Sequence, residues 1–160
     1  MSKRFLPFIL LAGTCFAQNP DAAKFYKLDF VVKEVEGAKV LNARSHSMIV
    51  STDKSAQPGS IRSGSKVPYA TSVGQFNYAE VGVNIDCRSV QELPGELSMI
   101  ITADISSTAQ EQATSNPVIR QNRWNSTVLI PVRKPTVVFS SDDLTTKRQM
   151  QLEVTATPLK

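Results

Sequence analysis

Alternation with a period of two is the feature that most constrains this chain. In FYKLDFVVKEV, residues 25–35, Tyr26, Leu28, Phe30 and Val32 share one face while Lys27, Asp29 and Lys33 lie on the other. GELSMIITADISS repeats the pattern with Leu97, Met99, Ile101, Ala103 and Ile105. RQMQLEVTATPLK sets Met150, Leu152, Val154 and Ala156 against Gln149, Gln151, Glu153 and Thr155. Turn chemistry separates these runs at Glu36-Gly37, DKSAQPGS, Pro94-Gly95, RKP and SSDDLTTKR. A strand buried on one face and wet on the other alternates in this way, so the expectation is a mainly β chain of antiparallel sheets, arranged as a sandwich or open barrel. The segments after Gly37, with Val40, Leu41 and Ala43, and then SMIVST, read as two further strand-like pieces. Heptads and internal repeats do not occur.

The opening, MSKRFLPFILLAGTCFAQNP, has a different character. Lys3 and Arg4 precede an apolar run from Phe5 to Ala12, and small residues lead into Gln18-Asn19-Pro20. That order is a secretory signal peptide over 1–17, cleaved after Ala17, and the run is too short for a permanent membrane helix. Lipidation at Cys15 is the competing reading, but Ala12 and Thr14 stand where a lipobox wants Leu and a small residue. Export to the periplasm or beyond follows. Residues 18–160 are then one domain, long enough for a real core and short for two. Cys87 is the only thiol left in it, which rules out an internal disulfide and points to a small buried core residue.

Residues 60–90, SIRSGSKVPYATSVGQFNYAEVGVNIDCRSV, carry a break in phase. Phe76 and Tyr78 are even-numbered, whereas Val81, Val83, Ile85 and Cys87 are odd. One strand cannot bury both sets on one face. The alternatives are a β-bulge near Ala79-Glu80 or a strand whose halves meet different surroundings. Gly82 lies inside the apolar run, where a glycine weakens a strand unless another backbone or a bulky side chain packs closely over it, and Tyr69, Phe76 and Tyr78 are the side chains that could do so. Pro68 belongs at a strand start or on an edge. GSIRSGSK, residues 59–66, approximates a phosphate-binding loop, but its Lys and hydroxyl are swapped and Val67-Pro68 follows where a helix must begin.

Composition removes other functions. The formal charge of +4 falls by two with the loss of Lys3 and Arg4, and the remaining basic residues are scattered among acids. Nucleic acid is not an expected partner. His46 is the sole histidine, without a second ligand at metal spacing, and reads as a polar surface residue. Asp142-Asp143 reads as turn chemistry, without the spacing of a calcium loop. Asn125-Ser126-Thr127 is a formal glycosylation acceptor. The expectation is therefore a chain without catalytic residues, metal or cofactor. STAQEQATSN, 107–116, reads as a loop, with a short helix at AQEQA as an option, and Arg123-Trp124 beyond it is the candidate anchor for a ligand or partner, with a Trp124 that covers the edge of the core as an equal alternative.

The succession VSTD, SIRSGSKVPY, YAEVGVNIDCRSV, GELSMIITADISS and LEVTATPL resembles the core domain of bacterial secretins, the channel subunits of type II and III secretion and type IV pilus systems. The resemblance covers about residues 45–158. It rests on Gly64, Val67, Pro68, Tyr69, Tyr78, Val81, Gly82, Val83, Ile85, Ser106, Ser107, Thr157 and Pro158. VRKPTVVFSSDD stands where the family has D-G-x-x-x-x-I-G-G-L, so the likeness is to a shortened, divergent core. It implies a non-catalytic exported domain acting by self-association or within a secretion- or pilus-type envelope assembly, with membrane contact through a partner. Gly64, Val67, Pro68, Tyr69, Phe76, Tyr78, Val81, Gly82 and Val83 are then interface or fold-determining candidates. The alternative is a free-standing β-sandwich that binds a saccharide or peptide through 107–124 and Trp124.

Overall fold

The computed structural model describes residues 23–72, 74–109, 117–144 and 146–159, so the expected signal peptide, Cys15 and the option of a helix at 109–113 lie largely or wholly outside it. Eight strands run β1 (Phe25–Glu36), β2 (Lys39–Ser51), β3 (Gly59–Ser72), β4 (Gln75–Leu93), β5 (Glu96–Ala109), β6 (Val118–Pro131), β7 (Thr136–Asp142) and β8 (Arg148–Pro158). They form two antiparallel four-stranded sheets, in order β2-β1-β8-β7 and β3-β4-β5-β6. The sheets pack face to face as a sandwich, as the alternation requires.

Between them lies one core. Leu28, Phe30, Leu152, Val154 and Ala156 from one sheet meet Ile85, Leu97, Met99, Ile101 and Ile130 from the other, all fully buried. Each comes from the apolar face of its alternating run, and each buried Leu, Ile or Phe contributes about 1.5–3 kcal/mol by leaving water. The Pro94-Gly95 turn joins β4 to β5, with Gly95 at φ 79, a conformation that glycine adopts without penalty. The common apolar face expected of this hairpin is present.

Several expectations change. The two strand-like pieces after Gly37 are one strand, β2, whose register with β1 shifts once between Glu34 and Val35. The bulge is not at Ala79-Glu80: β3 and β4 stay in register from Phe76 to Cys87. It lies at Ser89, where φ is 54 and the β4–β5 register shifts between Arg88 and Gln91. That displacement returns Val90 to the core despite its even number. The polar run taken as a loop from residue 107 is strand to Ala109 in β5, and β6 resumes at Val118. Polarity there marks strand ends that leave the core and remain paired with each other from Ser106 to Ala109 and from Val118 to Gln121.

Candidate functional site

β1, β3, β5 and β7 end, and β2, β4, β6 and β8 begin, at the same end of the sandwich, the hairpin end. At this end β4 outruns its sheet. It pairs with β5 only from Val83 to Leu93, so among the described residues Gln75–Gly82 has β3 as its only ladder partner. The result is a two-stranded ribbon projecting beyond the core.

Gly64 and Gly82 face each other at its base. A Cβ on Gly82 would strike the Ser63 carbonyl oxygen and the Gly64 Cα, and one on Gly64 would strike the Val81 carbonyl oxygen. Gly82 also has φ 152, outside the range comfortable for side chains. What packs closely over each glycine is thus the opposite backbone, and not one of the aromatic side chains that could have done so. The Gly82 N–H donates to Ser106 Oγ at 3.1 Å, so a side chain takes over where the β5 ladder ends.

Along the ribbon, directly paired residues point to the same side. Pro68 with Tyr78 and Ala70 with Phe76 form one face, and Val67 with Ala79 and Ser65 with Val81 the other. The structure therefore brings Gly64, Val67, Pro68, Tyr69, Phe76, Tyr78, Val81, Gly82 and Val83 into one hairpin. Phe76 and Tyr78 are 64% and 65% exposed, while Val83, one residue past Gly82, is 4% exposed. Both faces of the ribbon carry apolar groups, which a lone two-stranded hairpin cannot bury. GSIRSGSK is part of β3, with no helix after it to hold a phosphate.

Arg123 and Trp124 are not brought together. As neighbours in β6 they point to opposite sides. Trp124 packs inward against the core, its ring 5.7 Å from that of Phe139, and is not on a loop. Arg123 lies outward in a polar cluster, donating to Asp104 Oδ2 from Nε at 3.2 Å and Nη2 at 2.8 Å, while Gln121 donates to both Asp104 oxygens. Burial raises the Asp104 carboxyl, but the hydrogen bonds from Gln121 and Arg123 and the Arg123 charge outweigh it and hold the group below its ordinary value. Arg62 grips Asp86 with two bonds on the same outer face, so polar clusters occupy the middle of this face.

Other residues singled out in the sequence have structural partners. Asp143 bridges Arg120 at 2.7 Å and accepts from the Thr146 N–H at 2.9 Å, and Asp142 accepts from Gln149. Asn125 donates to Thr102 Oγ1 at 2.7 Å. His46 is not the surface residue expected. It is half-buried, opposite Phe30, and its Nε2 is buried without a hydrogen-bond partner. Burial, with the Asp86 charge, pushes the Cys87 thiol up to about 12.

One feature escaped the sequence altogether. Where the sheets splay at the hairpin end they leave a cleft of about 560 Å³, reached by Val32, Arg44, Val83, Ile105, Asn122 and Met150 among others. These residues come from six strands, so no local spacing reveals them. The β1–β2 register sets Arg44 directly across from Val32.

No family model matches this chain, and no curated protein matches it. Solved structures do. The secretin InvG of the Salmonella SPI-1 type III secretion injectisome is similar at a TM-score of 0.53 and 7% identity, over 86% of this chain and 62% of that one. A chain of the Klebsiella pneumoniae type II secretion system outer membrane complex, which contains PulD, PulS and the PulC HR domain, gives 0.51 at 10% identity, over 86% and 39%. The type II secretion system secretin GspD of E. coli K12 gives 0.50 at 10% identity, over 86% and 48%. The fold is secretin-like, as the motif order implied. This chain spans less than two thirds of each of these neighbours.

Proposed function

We propose that this is a non-catalytic module of a bacterial envelope assembly of secretion type, and that it works by associating with further copies of itself. The observation that carries this reading is the symmetry of the two edges in the β3–β6 sheet. β3 and β6 are each 14 residues long, each has one hydrogen-bonded neighbour, and they run in opposite directions. A second copy can therefore place its β3 against β6 of the first and continue the same antiparallel ladder. The step repeats without altering either edge. Long unpaired edges are the usual template for such addition, and head-to-tail pairing closes into a ring when the rotation permits. The projecting ribbon supports the same reading, because in an array its exposed Phe76 and Tyr78 gain neighbours of the same kind. The solved neighbours include a secretin from an injectisome and a chain of an outer membrane complex. That likeness favours a place in the cell envelope, after export by the opening segment.

Light scattering across a range of protein concentrations tests the proposal. The expected result is a concentration-dependent or ring-sized mass that reductant leaves unchanged and that Phe76→Ser with Tyr78→Ser reduces. A strict monomer at every concentration would remove self-association.

A further inference from the structure

We propose that the cleft between the sheets at the hairpin end is a binding site for an amphiphile, an apolar chain bearing one anionic head. This goes beyond self-association and does not depend on how copies pair.

The floor is where the core runs out. Val32, Val83 and Ile105 are buried core residues that line the cleft with Met150, and no side chain of the described residues fills it. Its volume of about 560 Å³ falls within the roughly 300–1,000 Å³ typical of small-molecule sites. Its length follows from its walls, which come from both sheets. The Arg120–Asp143 ion pair and the Asn122 Nδ2 donation to Met150 Sδ tie one sheet to the other across it.

The charges decide the head group. Each carboxylate of the lining is already engaged: Glu34 by Arg148 at 3.1 Å, Asp142 by Gln149, and Asp143 by Arg120. Among the lining cations, Lys33 is held by Glu153, and Arg120 and Arg148 by the acids just named. Arg44 has no acceptor among the described residues. It stands directly across from Val32 on the same side of the sheet, so the one uncommitted guanidinium rises beside the apolar floor. An apolar surface next to a free cation is complementary to a molecule whose own charge is negative and terminal. A guanidinium takes a carboxylate or a phosphate equally well by two parallel bonds. A free fatty acid and an anionic lipid headgroup with its chain therefore share the required chemistry.

Laurate, titrated below its micellar range into the purified chain, is the probe. Trp124, the sole tryptophan, lies two residues from Asn122 on the same face of β6 and reports occupancy by its fluorescence. We expect saturable binding that Arg44→Gln weakens about tenfold or more, the loss of one charge-assisted contact. Dodecyltrimethylammonium should bind at least about tenfold more weakly than laurate. Mono-dodecyl phosphate binding as well as laurate would support the shared anionic chemistry. Arg44 is exposed, so the variant is expected to fold, and circular dichroism checks this. Absence of saturable laurate binding overturns the proposal, as does equal binding of the cationic amphiphile with no effect of Arg44→Gln. Dissociation of an assembled species in step with laurate occupancy would assign the cleft to a side chain from a second copy, and would also overturn it.

Discussion

β4 contains two regions that obey the same sequence rule with opposite results. Val83, Ile85 and Cys87 alternate with polar residues and are almost completely buried. Phe76 and Tyr78 alternate with polar residues too, yet stay about two-thirds exposed. The difference is not in apolarity or propensity. It is that β5 and the opposite sheet accompany the strand only as far as Val83. Alternation records which side of a strand is apolar, whereas what covers that side depends on the length of its neighbours. An apolar face that has outrun its own molecule is the place to look for another.

The largest test of this contrast is a pair of truncations. Ile85→Ala should cost about 2–5 kcal/mol in urea unfolding, because it opens a cavity in a fully packed core. Tyr78→Ala should stay within about 0.5 kcal/mol for the monomer, as exposed substitutions do. Were the two equal, the outer region would be packed in solution and the contrast would fail. The boundary itself is the next target. Gly82→Ala drives a Cβ into the Ser63 carbonyl and demands a φ that alanine resists, a cost on the order of 1–3 kcal/mol. A cost below about 0.5 kcal/mol would show that the backbone does not dictate where the ribbon leaves the sheet.

These residues also show how far the sequence could be read. The fold class, the β4–β5 hairpin and most of the core were legible because local alternation and turn chemistry determine them. The split character of β4 was legible as an alternative, since the parity change between Tyr78 and Val81 admits only two explanations. Choosing between them required the register of β3, a non-local fact. Ser89 was invisible because nothing in its identity demands a positive φ. Arg123 and Trp124 could be read as one anchor or with Trp124 over the edge of the core, and their place in β6, where adjacent residues face opposite ways, decides for the second. The cleft was out of reach for a further reason. Arg44 and Met150 are ordinary residues in sequence, and only the pairing of β1 with both β2 and β8 sets them around Val32.

The smallest effect concerns the buried region alone and is read by pH. Cys87 in the folded chain is raised to about 12 from 9.0, first by burial and then by the Asp86 charge. Below pH 9 the thiol is protonated in both states and contributes no pH dependence. Between 9 and 12 the unfolded chain releases the proton while the folded chain keeps it, so stability falls as pH rises. At pH 10 the loss is about 1.4 kcal/mol, since that pH lies one unit above the unfolded value and one unit corresponds to about 1.4 kcal/mol. Tyrosines and lysines titrate in the same range, so the informative quantity is a difference between two chains. The drop in stability from pH 8 to pH 10 should be about 1.4 kcal/mol smaller in Cys87→Ala than in the parent, whatever offset the lost sulfur imposes at both pH values. An unchanged drop would mean that water reaches the thiol. The inner region of β4 would then be less sealed than its burial implies, and the contrast with the ribbon would shrink to one of degree.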